Sequence, residues 1–278
     1  MSNNEDKMIH PKRLTKADIA KIKASLPKRM DLGQPRDIEE ILVENKDEVC
    51  VPLSAETILS FRKYAEMLKE KNKVMNLTSI TDDEGIALKH FIDSLTIASY
   101  VDEEQSKIKG RKVSLIDVGT GAGFPGIPLK INKPDLDLTL LDSLAKRLAF
   151  LEDVCRELGL ENVKFVHSRA EDAGRDKKYR EKFDIATARA VANLPVLCEY
   201  CLPFVKVGGY FVAYKTASAA EEIAAAQNAV KTLGGGEQRI IKYGEEDNDH
   251  LFVVIKKIAP CSKKYPRKAG LPAKEPLK

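Results

Sequence analysis

From Lys112 to Lys257 short apolar runs alternate with stretches of helical rhythm, and this alternation limits the possible folds more than any other feature. The runs are VSLIDV, LDLTLLD, VKFV, FDIATAR and GGYFVAYK. Helix-like stretches follow at Pro125 to Ile131, Ser143 to Leu158, Ala170 to Tyr179, Leu194 to Leu202 and Ser218 to Leu233. Apolar runs joined by helices build a parallel sheet covered on both faces. Two later runs, QRIIKYG and HLFVVIKK, are close enough to pair antiparallel. The expected class is therefore α/β. A hydrophobic content of 43% supplies a core, and the absence of Trp makes that core mainly aliphatic.

The rest of the chain divides by composition. Residues 1–50 hold ten basic and ten acidic side chains and few large apolar ones. They read as a loosely attached extension with short helices at Lys12 to Ala24 and Asp37 to Lys46. Residues 51–258 form the domain, with a helical lead-in (51–110) and an α/β core (111–258). In the lead-in, Ser54 caps a helix whose Ile58, Phe61, Ala65 and Leu68 recur at helical spacing. ALKHFIDSLTIASYV is a second helix. Residues 259–278 are a tail with Pro260, Pro266, Pro272 and Pro276, expected to be extended and without a core.

Charge is uneven. Lys256 to Lys278 carries eight Lys or Arg against one Glu, a net +7, so the other 255 residues sum to −3 of the total +4. A near-neutral body with a basic tail suits a polyanionic partner. No apolar run approaches the roughly 20 residues of a membrane helix, and the first ten residues lack the apolar segment of a signal peptide. A cytoplasmic protein with free thiols, acting as a monomer, is expected.

The turn after the first run, DVGTGAGFPG, admits two registers. Gly121, Gly123 and Gly126 fit the dinucleotide fingerprint. Gly119, Gly121 and Gly123 fit G-x-G-x-G, with Asp117 two residues ahead. A carboxylate at that strand end repels a pyrophosphate and attracts a sulfonium and an ammonium group, which favours S-adenosylmethionine. Asp142 closes the second run, where a carboxylate takes ribose hydroxyls; it suits either cofactor. Glu171, after the third run, stands beside the adenine or is simply an acid in a helix's first turn.

Longer stretches resemble one family: KHFIDSL, IDVGTGAGFPGIPLKI, LLDSLAKRLAFLEDV, LENVKF, SRAED, FDIATARAVANL and KKYPRKAGLPAKEPL. From about Ser54 to Leu277 the chain resembles the bacterial 16S ribosomal RNA guanine-N7 methyltransferases (RsmG, or glucose-inhibited division protein B). The resemblance implies a class I, Rossmann-like methyltransferase fold: a seven-stranded, mostly parallel sheet with its last strand antiparallel and helices on both faces. It implies S-adenosylmethionine contacts at Gly119, Phe124, Ala170, Glu171 and Arg189, beside Asp117, Gly121 and Asp142 from the residue reading.

Guanine N7 carries an in-plane lone pair and needs positioning more than a general base. No acid–base pair stands out, and no catalytic residue is assigned. Arg189, at the fourth run's end, can hold a cofactor carboxylate or an RNA phosphate. His90, Asn76 and Lys215 are candidates for gripping the base, each with a purely structural role as the competing reading. Lys263, Lys264, Tyr265, Arg267 and Lys268 suit phosphate contact and base stacking. Cys198 and Cys201 spell C-x-x-C without a second pair, so they read as buried small residues and no metal is expected. The partner is then 16S ribosomal RNA or a small-subunit precursor. A small-molecule methyltransferase and an NAD-dependent oxidoreductase are the rivals.

Overall fold

Seven strands form one sheet in the order β3-β2-β1-β4-β5-β7-β6. They are β1 (Ser114–Val118), β2 (Asp137–Asp142), β3 (Val163–His167), β4 (Phe183–Arg189), β5 (Val205–Thr216), β6 (Gly235–Lys242) and β7 (His250–Lys257). The pairs along β3-β2-β1-β4-β5 are parallel, and β7 runs antiparallel to both β5 and β6. This is the class I methyltransferase topology, as the resemblance implies. The computed structural model describes residues 36–45, 51–242 and 250–277, all within the compact unit Arg36–Lys278. The helix expected at Lys12 to Ala24 lies outside the described residues.

Side chains alternate across the sheet, as period-two geometry requires. Leu115, Leu138, Leu140, Ile185 and Val212 face one core. Ile116, Val118, Leu141, Ala186 and Phe211 face the other. The first core is closed by α1 (Ile38–Asn45), α2 (Ala55–Met75) and a π-helix (Ile86–Ile92). After α3 (Ala98–Lys107) and β1 come α4 (Gly126–Asn132), α5 (Ala145–Glu157) and the single turn α6 (Ala170–Ala173). The second core is closed by α7 (Leu194–Cys201), α8 (Ala220–Ala225) and α9 (Gln227–Thr232). Cys198 and Cys201 are buried there as small apolar residues.

Two expectations fail at the chain's ends. Residues 38–45 are not loosely attached: α1 buries Ile38, Ile41 and Leu42 against α2 and the π-helix. Each such side chain contributes about 1.5–3 kcal/mol when removed from water. The Pro-rich tail is not a coreless strand either. It buries Cys261, Pro266 and Pro272 and ends in a helical turn, α10 (Leu271–Lys274). Its carbonyls are held from outside: Arg180 donates to the oxygens of Cys261, Ser262 and Tyr265, and Arg175 to that of Pro266.

Helix boundaries differ where side chains intervene. The segment ALKHFIDSLTIASYV is a π-helix and a single turn, then breaks before α3. The wider turn lets the Asp93 N–H reach the oxygen of Leu88. Ser94 and Thr96 hydroxyls donate back to the oxygens of His90 and Asp93, a competition that unravels helices. The stretch Ala170 to Tyr179 is helical only over α6.

Candidate active site

The strand order reverses between β1 and β4, the point where α/β sheets bind ligands at their carboxyl ends. The glycine turn fills this position. Gly119, Gly121 and Gly123 have φ of +72°, +60° and +100°, which side-chain-bearing residues rarely adopt. A Cβ on Gly119 would lie 2.8 Å from Val191, and one on Gly123 2.5 Å from the Tyr64 hydroxyl. The N–H groups of Gly119 and Thr120 bond the oxygen of Leu141, tying the turn to β2.

Beside it opens a cavity of about 310 Å³. Gly119, Asp142, Ala170 and Glu171 line it, together with Arg147, Ala190, Val191 and Tyr200, whereas Gly121, Phe124 and Arg189 do not. Asp142 is pinned by the N–H groups of Gly121 (2.9 Å to Oδ2) and Leu144 (2.9 Å to Oδ1). Arg147 approaches it to 3.4 Å. Glu171 is buried, and its Oε1 accepts from the N–H of Gly270 in the tail (2.8 Å). The bare glycine cradle and a carboxylate at the end of β2 fit the adenosyl and ribose parts of S-adenosylmethionine.

Asp117 stands elsewhere than the sequence reading put it. It lies beneath the turn, fully buried, and does not line the cavity. Its Oδ2 accepts from the Thr120 hydroxyl (2.7 Å) and the Gly126 N–H (3.0 Å), while Oδ1 has no partner in the described structure. Burial pushes its carboxyl up to about 6. Thus the first N–H of α4 is already given to a side chain, which leaves less of that helix end for a diphosphate.

Arg189, Phe124 and His90 form one stack. The His90 ring lies on Phe124 at 4.4 Å between centroids, and the Arg189 guanidinium sits 5.1 Å from the Phe124 ring centre. Arg189 donates to the oxygen of Lys89 (2.7 Å) and pairs with Asp93 (2.8 Å). His90 is held by the Thr78 hydroxyl (2.9 Å) and lies 3.2 Å from Arg189. Burial first, then the Arg189 charge, lowers its pKa to about 4, so it is neutral. On the turn's other side, Tyr64 of α2 donates to the oxygen of Ala122.

A second cavity, of about 280 Å³, shares Ala190 with the wall of the first. Asp93, Arg189, Tyr214, Lys215, Glu222 and His250 line it. Ala190 has φ of +56°, a costly conformation for a residue with a Cβ. Lys215 donates to Glu222 Oε2 and the oxygen of Ala192, both at 2.9 Å. His250 Nδ1 stands 3.2 Å from Asp93, and this contact raises its pKa. Asn76 lines neither cavity; it ends α2 in the left-handed conformation. Among the tail residues Lys263, Lys264 and Lys268 are exposed, Tyr265 is half-buried, and Arg267 is spent on the buried Glu199.

The profile of the GidB family, rRNA small subunit methyltransferase G, matches residues 57–252. The chain belongs to this family. It is 50% identical over 244 residues to a "Ribosomal RNA small subunit methyltransferase G" of Alkaliphilus oremlandii, covering 87% of this chain and all of the relative. A relative with the same name from Acetivibrio thermocellus is 49% identical over 242 residues, 86% of this chain and 97% of its own. A crystal structure from Corynebacterium glutamicum shares the fold at a TM-score of 0.51 and 14% identity, over 78% of this chain and 96% of the other. Family membership leaves the oxidoreductase reading without support. Residues that sequence reasoning missed are Tyr64, Glu199, Glu222 and His250. Asp93 carried one signal, its i, i+3 spacing from His90 in KHFIDSL.

Proposed function

We propose that this chain transfers a methyl group from S-adenosylmethionine to N7 of one guanine in 16S ribosomal RNA. The observation that carries this reading is a pair of cavities that share Ala190 in their walls, one fitted for an adenosyl group and the other edged by charged side chains and sized for a base. The relatives' name, an RNA small-subunit methyltransferase, supports the substrate class. Bound in the first cavity, S-adenosylmethionine supplies an electrophilic methyl group.

Asp142 and the turn hold the adenosine end, and Glu171 and Ala170 flank it. Arg189, fixed by Asp93, the Lys89 oxygen and His90, offers its remaining surface to the second cavity, next to Ala190 in the chain. No residue has to remove a proton, since N7 attacks through its own lone pair. A neutral His90 is consistent with that. Methylation makes the purine cationic, and the carboxylates of Asp93 and Glu222 stand ready to stabilise that charge as it develops. Exposed Lys263, Lys264 and Lys268 serve the RNA backbone.

The test is methylation of 16S RNA, free or in small subunits, from a strain lacking the enzyme. Borohydride and aniline cleave the strand at N7-methylguanosine. A single new cleavage site that depends on the protein and S-adenosylmethionine is expected. Methyl incorporation without cleavage would reject N7, and no incorporation into any RNA would favour a small-molecule acceptor.

A further inference from the structure

We infer that Glu222, set by Lys215, is the residue that distinguishes guanine from other purines in the second cavity. This rests on the reading above. If N7 points toward Ala190 and the methyl donor, the purine's Watson–Crick edge turns away from the first cavity. Guanine presents there an N1–H and an N2 amino group as donors, with O6 as the neighbouring acceptor. A matching wall needs an available carboxylate oxygen next to a cation.

The charged side chains that line the cavity do not all qualify. Asp93 is engaged through Oδ2 by Arg189 and through Oδ1 by His250. Arg189 is held at the near end, next to Ala190 in the chain. Glu222 is different. Its Oε2 takes both the Lys215 ammonium (2.9 Å) and the Leu194 N–H (2.5 Å), which locks the side chain in place. These bonds leave Oε1 without a protein partner among the described residues, on a carboxylate that is 25% exposed and lines the cavity. Lys215, 10% exposed, spends two of its three N–H groups on Ala192 and Glu222 and keeps one.

The pair therefore offers an acceptor for N1–H and N2–H beside a donor for O6. Adenine presents the reverse pattern, a donor at N6 and an acceptor at N1, and would set lone pair against lone pair. Attack through N7 gives the ring a positive charge and strengthens N1–H and N2–H as donors. The Glu222 contact thus tightens in the transition state, and its loss should appear in kcat as well as in KM.

The experiment compares small subunits reconstituted with 16S RNA carrying guanosine or inosine at the target position. Inosine keeps N7 and O6 and lacks only the N2 amino group. Wild-type enzyme is expected to methylate inosine roughly tenfold to a hundredfold more slowly in single turnover, the range for one good base contact. Glu222→Gln keeps an oxygen for Lys215 and Leu194, but can no longer accept from the base with a charged oxygen. It should slow guanosine and bring the guanosine-to-inosine ratio to within about threefold of one, with Glu222→Asp in between. Melting temperature and S-adenosylhomocysteine affinity of each variant are measured alongside. An equal loss on both substrates, or a ratio unchanged from wild type, overturns the inference while leaving N7 methylation intact. If wild-type enzyme modifies neither RNA at N7, the function proposed above fails first.

Discussion

Replacing Arg267 by Met is expected to unseat the C-terminal segment and to loosen the cofactor cavity with it. Arg267 grips Glu199 through Nε (3.0 and 3.1 Å) and Nη2 (2.7 Å), and the Glu199 side chain is only 1% exposed. Removing one partner of such a pair strands a buried charge and costs about 3–5 kcal/mol. The Arg267 backbone N–H still bonds Glu199 (2.6 Å), so the lower end, about 3 kcal/mol, applies. For a domain of this size that is roughly 6–12 °C in Tm. Three residues on, Gly270 holds Glu171 in the cavity wall. Freeing a hydrogen bond to a charged group, about 1.5–3 kcal/mol, would lower S-adenosylhomocysteine affinity about tenfold or more. Differential scanning calorimetry and titration calorimetry read the two effects. Replacing both partners, E199L with R267M, should recover much of the stability, because the stranded charge goes too. A single variant that melts within about 2 °C of wild type, keeps its cofactor affinity, and loses RNA binding with a shallower salt slope would refute this reasoning. It would return Arg267 to the phosphate-binding role that the sequence suggested.

Ala190→Gly should hold or raise stability by up to about 1 kcal/mol, because it relieves a left-handed residue, whereas Ala190→Val should unfold more readily and lose methyl transfer; equal melting of the two would discount the strain. The His90 ring should titrate near 4 by NMR, so its stabilising contribution is complete above about 6.5 and disappears as pH falls toward 4; a midpoint near 6.5 would contradict its burial beside Arg189. Burial alone would raise the Asp184 carboxyl, but hydrogen bonds from Arg111, Lys206 and Ser114 win and hold it well below the usual range. Its contribution is present above pH about 4 and lost in more acid solution, so Asp184→Asn should flatten the acid limb of the stability curve; an unchanged limb would count against it. Gly123→Ala should abolish cofactor binding through its clash with Tyr64, Ile127 and Leu151, and retained S-adenosylhomocysteine binding would show that the turn can shift.

The sheet was legible because strands buried on both faces are unbroken apolar runs with polar ends. FDIATAR and HLFVVIKK coincide with β4 and β7 to the residue. The start of β5 was less visible: Gly208, at φ +96°, interrupts a strand that begins at Val205. Asp142, Gly119 and Glu171 were readable because each sits at a fixed distance from a strand end. What escaped depends on contacts remote in sequence. The donors that anchor the tail, Arg175 and Arg180, precede it by some 80 to 90 residues, and composition cannot reveal them. Asp117 was located by residue but not by direction, since a strand's last side chain can point into the cavity or beneath the turn. His250 and Glu222 join the site only once the sheet and α8 are folded.

The glycine turn is braced on its outer side by helices that precede the sheet: Tyr64 holds Ala122, and His90 lies flat on Phe124. The lead-in is therefore part of the catalytic apparatus rather than a detachable cap. An attempt to graft this α/β core onto another protein's front end would have to carry residues from Phe61 to Asp93 along with it. Directed evolution aimed at a new acceptor should likewise vary the two segments jointly, since a change in either alone leaves the turn without its support.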